Sequence, residues 1–300
     1  MDTHTQFTIP GRVVFEPGHN GLVRARITAP HADAEVYLHG AHVTEFRPRG
    51  QAPVLMMSAA SVFAAGEPIR GGIPVIFPWF GPRRDGKEGP PHAFARRRDW
   101  EVESTAAAPG GTVTLVLGLA SDAATRAAWP GEFRLRYTVT VGPTLHLALA
   151  VTNTGATPFT FEEALHTYFT VGDIRQVRVA GLENGAYLDA ADGGKRKRQG
   201  PDPITFAEET DRAYIGTPAV CELYDQALGR RLVITKAAAD STVVWNPWIA
   251  KAKRMPDFGD DEWPGMVCVE TGNVLENAVT LAPGATHEMT TTVEVAALGQ

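Results

Sequence analysis

The sequence predicts an all-β fold, a β-sandwich or barrel of antiparallel strands with a few short helices. Three observations carry this: strict apolar/polar alternation in many segments, Gly/Pro punctuation between them, and almost no stretch of helical period. In Phe133–Val141, residues Phe133, Leu135, Tyr137, Val139 and Val141 share one face, and Arg134, Arg136, Thr138 and Thr140 the other. Thr112–Leu119 alternates in the same way, as do Leu145, Leu147, Leu149 and Val151, and Thr290–Val295 near the end. One buried face per strand is the pattern of antiparallel sheets. The turn signals between these runs include Pro109-Gly110-Gly111, Pro130-Gly131, Gly142-Pro143 and Pro283-Gly284. Only Ser121–Trp129 and Ser58–Ala65 read as helical, and both are short.

At 300 residues the chain could hold one large domain or two ordinary ones. It shows no internal repeat and no linker-like stretch, so residues 1–300 are expected to form one domain. With 44% hydrophobic and 21% charged residues it has the composition of a folded protein. The formal net charge of −6 speaks against a nucleic-acid partner, while an anionic small substrate needs only local positive charge. Cys221 and Cys268 lie far apart and are expected to be buried free thiols. The N-terminal residues lack an apolar signal core, and no run approaches the roughly 18 apolar residues of a membrane span. The expectation is a cytoplasmic protein without a membrane partner. The basic run Lys195–Arg198 follows Gly193-Gly194 and reads as a solvated hairpin tip.

Three stretches carry more polar and rigid residues than a sheet requires. Pro68–Gly81 sets prolines and paired glycines around Arg70, which describes a loop of fixed shape. It continues into Pro91–Arg96, which adds His92 and Arg96. Between them, Gly81–Lys87 mimics a phosphate loop, but Glu88 stands where Ser or Thr is needed and no helix pattern follows. The second stretch, Phe161–Phe169, puts Glu162, Ala164, His166 and Tyr168 on one face if it is a continuous strand. Burying a carboxylate and a histidine together is costly unless they line a wet cleft, although a lone histidine is often structural. In the third, Val244–Trp248 precedes Met266–Asn273, where Glu270 ends an apolar run. Such a carboxylate is either hydrogen-bonded structurally or held in a cleft with a raised pKa. The tryptophans either pack in the core or stack under a sugar ring.

Nine histidines invite a metal reading, but no His-x-His or His-Glu-x-x-His element occurs, and His39 and His42 would face opposite ways in an extended run. No Gly-x-Ser-x-Gly elbow is present either. Neither metal nor cofactor is expected.

Taken in order, several segments resemble the glucose-6-phosphate 1-epimerase family, the hexose-phosphate branch of the galactose mutarotase-like superfamily. They are Ile69–Pro74, Phe77–Gly81, His92–Arg96, Leu165–Phe169, Thr210–Tyr214, Val244–Trp248 and Val269–Asn273, with Gly40–Val43 and Lys251 through Glu262 in addition. The resemblance implies a large antiparallel β-sandwich and an isomerase that interconverts the α and β anomers of a hexose 6-phosphate. By position, His166 and Glu270 match the catalytic acid and base. Arg70 and Arg96 match arginines of the phosphate region, Asp211 a carboxylate that binds sugar hydroxyls, and His92 a histidine near the ring oxygen. Pro91 and Ala93 depart from the family's Gln-His-Gly and bear on sugar preference.

The chemistry implied is removal of the anomeric O1 proton by Glu270 and delivery of a proton to O5 by protonated His166. The partner expected is a small sugar phosphate, with the protein a monomer or weak homodimer. The alternatives are an aldose 1-epimerase for unphosphorylated sugars, a non-catalytic carbohydrate-binding sandwich, and a metal-dependent cupin-type isomerase.

Overall fold

The computed structural model describes residues 4–217 and 219–298. Two eight-stranded antiparallel sheets dominate, joined by a four-stranded sheet of N-terminal strands and a two-stranded ribbon. The strongest alternating runs build one of the large sheets. Phe133–Val141 pairs with Val113–Ala120 on one side and with Leu145–Asn153 on the other. The Gly142-Pro143 turn closes that second hairpin, with the Gly142 amide donating to the Thr144 carbonyl at 3.0 Å. Their inward side chains, including Phe133, Leu135, Tyr137 and Leu149, are fully or almost fully buried.

The other large sheet carries the polar stretches. Its strands run in the order Lys195–Arg198, Ala186–Asp189, Thr210–Ile215, Ser241–Asn246, Met266–Asn273, Glu163–Leu165 and Val75–Ile76, and Tyr168–Thr170 also pairs with Met266–Asn273. Period 2 splits Met266–Asn273 between two surroundings. Thr271 and Asn273 face the other sheet, where Thr271 meets Thr291 at 3.2 Å and Asn273 meets His287 at 3.2 Å. Glu270 therefore faces away from the interior of the sandwich, into a cavity on the far side of the sheet.

One short helix forms as expected, and two details differ from the sequence expectation. The helix within Ser121–Trp129 forms, at Ala123–Ala128, with Asp122 as its cap: Thr125 donates to Asp122 Oδ1 at 2.7 Å. Ser58–Ala65 is not helical. The Ser58 amide pairs with the Arg70 carbonyl at 3.3 Å and Ser61 Oγ accepts from the Arg70 amide at 2.8 Å, so tertiary bonds to the loop override local propensity. Lys195–Arg198 is an edge strand rather than a hairpin tip. The turn is made upstream, at Gly193 and Gly194, both with positive φ, and Lys197 pairs with Asp189 and Asp192. Charged residues suit an edge, since they discourage pairing with another chain. Cys221 and Cys268 are free and buried, as expected. Among the described residues, no helix is long and apolar enough to cross a membrane.

Candidate active site

A cavity of about 820 Å³ opens on the Glu270 face of the second sheet, and it gathers Arg70, His92, Arg96, His166, Asp211 and Glu270. All six residues singled out from sequence thus meet in one place. The sheet register explains part of this. Asp211 pairs with Trp245, Trp245 with Cys268, and Val243 with Glu270, which sets Asp211, Trp245 and Glu270 on one face of three adjacent strands.

The Phe161–Phe169 stretch does not form the continuous strand expected of it. It is cut into Phe159–Phe161, Glu163–Leu165 and Tyr168–Thr170. Glu162 falls in the first break and turns outward, where it accepts from the Phe80 amide at 2.9 Å and the Leu275 amide at 2.5 Å. The carboxylate is held by loop amides that a strand would have paired elsewhere, so Glu162 lies outside the cavity. His166 falls in the second break, and its amide donates to the Pro74 carbonyl at 3.0 Å.

The Arg70 loop is held by its two glycines. Gly71 (φ 104°) and Gly72 (φ 58°) adopt backbone conformations that favour glycine, and a Cβ at either would sit within 2.4 Å of a neighbouring carbonyl oxygen. His42 lies beneath, donating from Nε2 to the Gly71 carbonyl at 2.7 Å; burial pushes its pKa down to about 3, so it is neutral. The Tyr168 amide donates to the Gly72 carbonyl at 2.9 Å, which joins this loop to the His166 segment.

His166 Nε2 and Glu270 Oε1 are 3.3 Å apart, with 6% and 1% of each residue exposed. Tyr168 stacks on the imidazole at 4.9 Å and 12°, and Trp245 meets it edge-on at 6.1 Å. His166 Nδ1 and Glu270 Oε2 are buried without a hydrogen-bond partner. Burial raises the Glu270 carboxyl well above the usual range, and the Asp211 carboxylate adds to this. Burial also lowers His166 well below the ordinary imidazole value, followed in effect by the positive charges of Arg96 and Arg70. Both groups are thus driven toward their neutral forms. The resting surroundings favour a proton on Glu270 beside a neutral His166, the reverse of the arrangement expected from sequence.

His92 and Ala93 both have positive φ. The Gly81 amide donates to His92 Nδ1 at 3.2 Å, and the His92 ring stands 5.3 Å from that of His166. Asp211 accepts from Lys251 at 3.1 Å, and Lys251 also pairs with Glu209 at 2.9 Å. The two arginines differ sharply. Arg70 is tied to Asp257 by both arms of its fork, at 2.9 to 3.2 Å, and donates to the Tyr168 hydroxyl at 2.9 Å. Arg96, 5% exposed, donates from Nη2 to the Pro91 carbonyl at 2.8 Å, and its Nε has no partner.

Asp257, Lys251 and Tyr168 were not singled out from sequence. Lys251 and Asp257 fall in the segment from Lys251 through Glu262, but nothing local marks a carboxylate 187 residues from Arg70 as its partner.

The site also brings the ligand-type atoms of His166, Cys268 and Glu270 within 4.8 Å of one another, so these are the residues that could hold a metal ion. Their setting suits one poorly. Burial raises the Cys268 thiol well above its usual pKa, disfavouring the thiolate a metal needs, and Arg70 and Arg96 line the same cavity. As a proton-transfer pair the same groups are well arranged: an imidazole and a carboxyl 3.3 Å apart, oriented by ring packing, in the buried wall of the cavity.

Known proteins resemble this chain over most of its length. A family model for aldose 1-epimerase matches residues 24–294. A Cenchrus ciliaris protein named "Putative glucose-6-phosphate 1-epimerase" is 38% identical over 84% of this chain and 78% of its own. An Escherichia coli protein of the same name is 35% identical over 82% of each. A crystal structure from Salmonella typhimurium superposes with a TM-score of 0.88 at 31% identity, covering 96% of this chain and 95% of the other. A galactose mutarotase-like protein from Clostridium acetobutylicum shares the fold at 13% identity, with a TM-score of 0.74 and coverage of 95% and 98%. On the family model, the sequence identities and the shared fold, the chain belongs to the aldose 1-epimerase family.

Proposed function

We propose that this enzyme interconverts the anomers of hexose 6-phosphates, with His166 and Glu270 moving the protons and Arg96, together with Arg70, receiving the phosphate. The observation that carries the reading is the 3.3 Å pair of His166 and Glu270 in a cavity that the guanidinium groups of Arg70 and Arg96 also line. Mutarotation needs one group to take the proton from O1 and another to give one to O5. Glu270 as carboxylate and His166 as imidazolium fill these roles; the ring opens to the aldehyde, C1–C2 rotates, and the roles reverse on closure. Asp211 and His92 line the remaining wall for the sugar hydroxyls and ring oxygen. The names borne by the relatives, glucose-6-phosphate 1-epimerase, support glucose 6-phosphate as the substrate.

A guanidinium meets phosphate through two parallel hydrogen bonds, a geometry lysine does not reproduce. Of these two arginines, Arg96 has no carboxylate partner among the described residues, whereas Arg70 must share its fork with Asp257. The bound state of Arg70 favours, as a second reading, an enzyme acting on unphosphorylated sugars as well. Exchange NMR on glucose 6-phosphate and on glucose, with wild type and Arg96→Ala, separates the two. Faster exchange of the phosphorylated sugar, lost selectively in Arg96→Ala, is the expected result. Equal acceleration of both sugars, with equal losses in the variant, would remove the phosphate from the proposal.

A further inference from the structure

The charges around the cavity are unevenly matched. Arg70 is answered by Asp257, and Lys251 by Glu209 and Asp211. Arg96 has no carboxylate at ion-pair distance among the described residues, and its buried guanidinium has its pKa pushed down to about 10, first by burial and then by Arg70. An uncompensated buried cation is expensive unless something arrives to pair with it.

Both guanidiniums bear on the same imidazole. Arg70 donates to the hydroxyl of Tyr168, whose ring lies flat on His166. Arg96 holds the carbonyl of Pro91, next to His92, whose ring abuts that of His166. The other groups facing the pair are Glu270 itself, the Cys268 thiol, and His42 and His92, both held neutral by burial, with Asp211 on the Glu270 side. Lys251, Arg84 and Arg97 line the same cavity, and each already has a carboxylate partner, Asp211, Glu162 and Glu67 in turn.

We propose that the phosphate of the substrate takes part in the chemistry: seated on Arg96 and Arg70, the dianion cancels their field at His166 and draws the pair's proton from Glu270 to His166. This rests on the function proposed above. The step is a single proton transfer, from a Glu270 carboxyl oxygen to His166 Nε2, that leaves a carboxylate and an imidazolium and touches no bond of the sugar. It converts the resting arrangement into the one the reaction uses. Both arginines lower His166, and Arg96 lowers Glu270 as well, so cancelling Arg96 raises both groups and the cancellation of Arg70, which donates to Tyr168 against the imidazole, is what tips the proton toward His166. A phosphorylated sugar thereby brings its own activation, and a free sugar meets the pair in its resting state. The phosphate then affects turnover as well as affinity.

Supplying the two pieces separately tests this. Inorganic phosphite is added to the wild-type enzyme with free glucose, and anomer exchange is followed by NMR. Enzyme-dependent exchange should rise about tenfold or more, the equivalent of one pKa unit at His166, and Arg96→Ala should lose the rise. In histidine-¹⁵N-labelled protein, phosphite at neutral pH should move the His166 signals, assigned with His166→Gln, from the neutral to the imidazolium pattern. That readout holds even if the Arg96 variant fails to fold. Phosphite that inhibits glucose 6-phosphate turnover yet leaves glucose exchange unchanged would overturn the proposal, as would no effect on either reaction at any attainable concentration. Absence of turnover with glucose 6-phosphate itself would instead count against the proposed function.

Discussion

At His166 the surroundings set the proton before any sugar arrives. The folded protein lowers its pKa, so the pair takes up a second proton only well below the ordinary imidazole value. Since kcat/KM reports the free enzyme, its acid limb for glucose, which has no titrating group there, should lie below pH ~6.5. A limb at or above that value would contradict the burial argument. Tyr168 links this imidazole to Arg70, and its own ionisation is pushed up by burial, so it acts only as a neutral hydroxyl. Tyr168→Phe keeps the stacked ring and deletes one hydrogen bond to a charged group, worth about 1.5–3 kcal/mol. KM for glucose 6-phosphate should rise about tenfold or more while kcat falls less, and steady-state kinetics checks the split. In the sequence, His166 and Glu270 stood out as polar groups in strand-like runs and Arg70 and Arg96 as cations in Gly/Pro-rich loops, and the family resemblance supplied their roles. The sequence could not pair Arg70 with Asp257 or place the proton, since both depend on neighbours brought together by folding.

The Arg70 loop and the broken strand beside it work as one element. Gly71 has φ 104° and no room for a Cβ, so Gly71→Ala should destabilise the protein by more than ~1 kcal/mol and move Arg70 out of position. Denaturant unfolding and the KM for glucose 6-phosphate measure the two effects. On the opposite face of the same sheet, Glu163 is fully buried, accepting from His287 and Asn273 at 2.9 Å each. Burial raises Glu163, and its hydrogen bond raises His287. His287→Ala strands the carboxylate and should cost about 3–5 kcal/mol, much of it recovered in the double variant with Glu163→Gln. Additive losses in denaturant titrations would show that the two residues do not act as a pair. The long strands were legible because their alternation is unbroken; Phe159–Thr170 was not, because its breaks come from Glu162 and His166 bonding to loops distant in sequence. The stretch Ser58–Ala65 misled for the same reason: its bonds to Arg70 are tertiary.

Across the whole molecule, one sheet packs inward against its partner and turns its other face to the substrate. Met266–Asn273 does both at once, with Thr271 and Asn273 toward the second sheet and Glu270 toward the cavity. A scaffold of this kind holds the proton-transfer pair rigidly while loops from the first hundred residues supply the arginines. On this geometry Glu270 is the group proposed to move the anomeric proton. This role is tested most directly by two-dimensional exchange NMR on glucose 6-phosphate with wild type and Glu270→Gln at equal folded concentration. Wild type should accelerate α/β exchange, and the variant, with unchanged circular dichroism, should lose about 10²–10⁴ of the rate. A folded Glu270→Gln protein that keeps most of the wild-type exchange rate would contradict it.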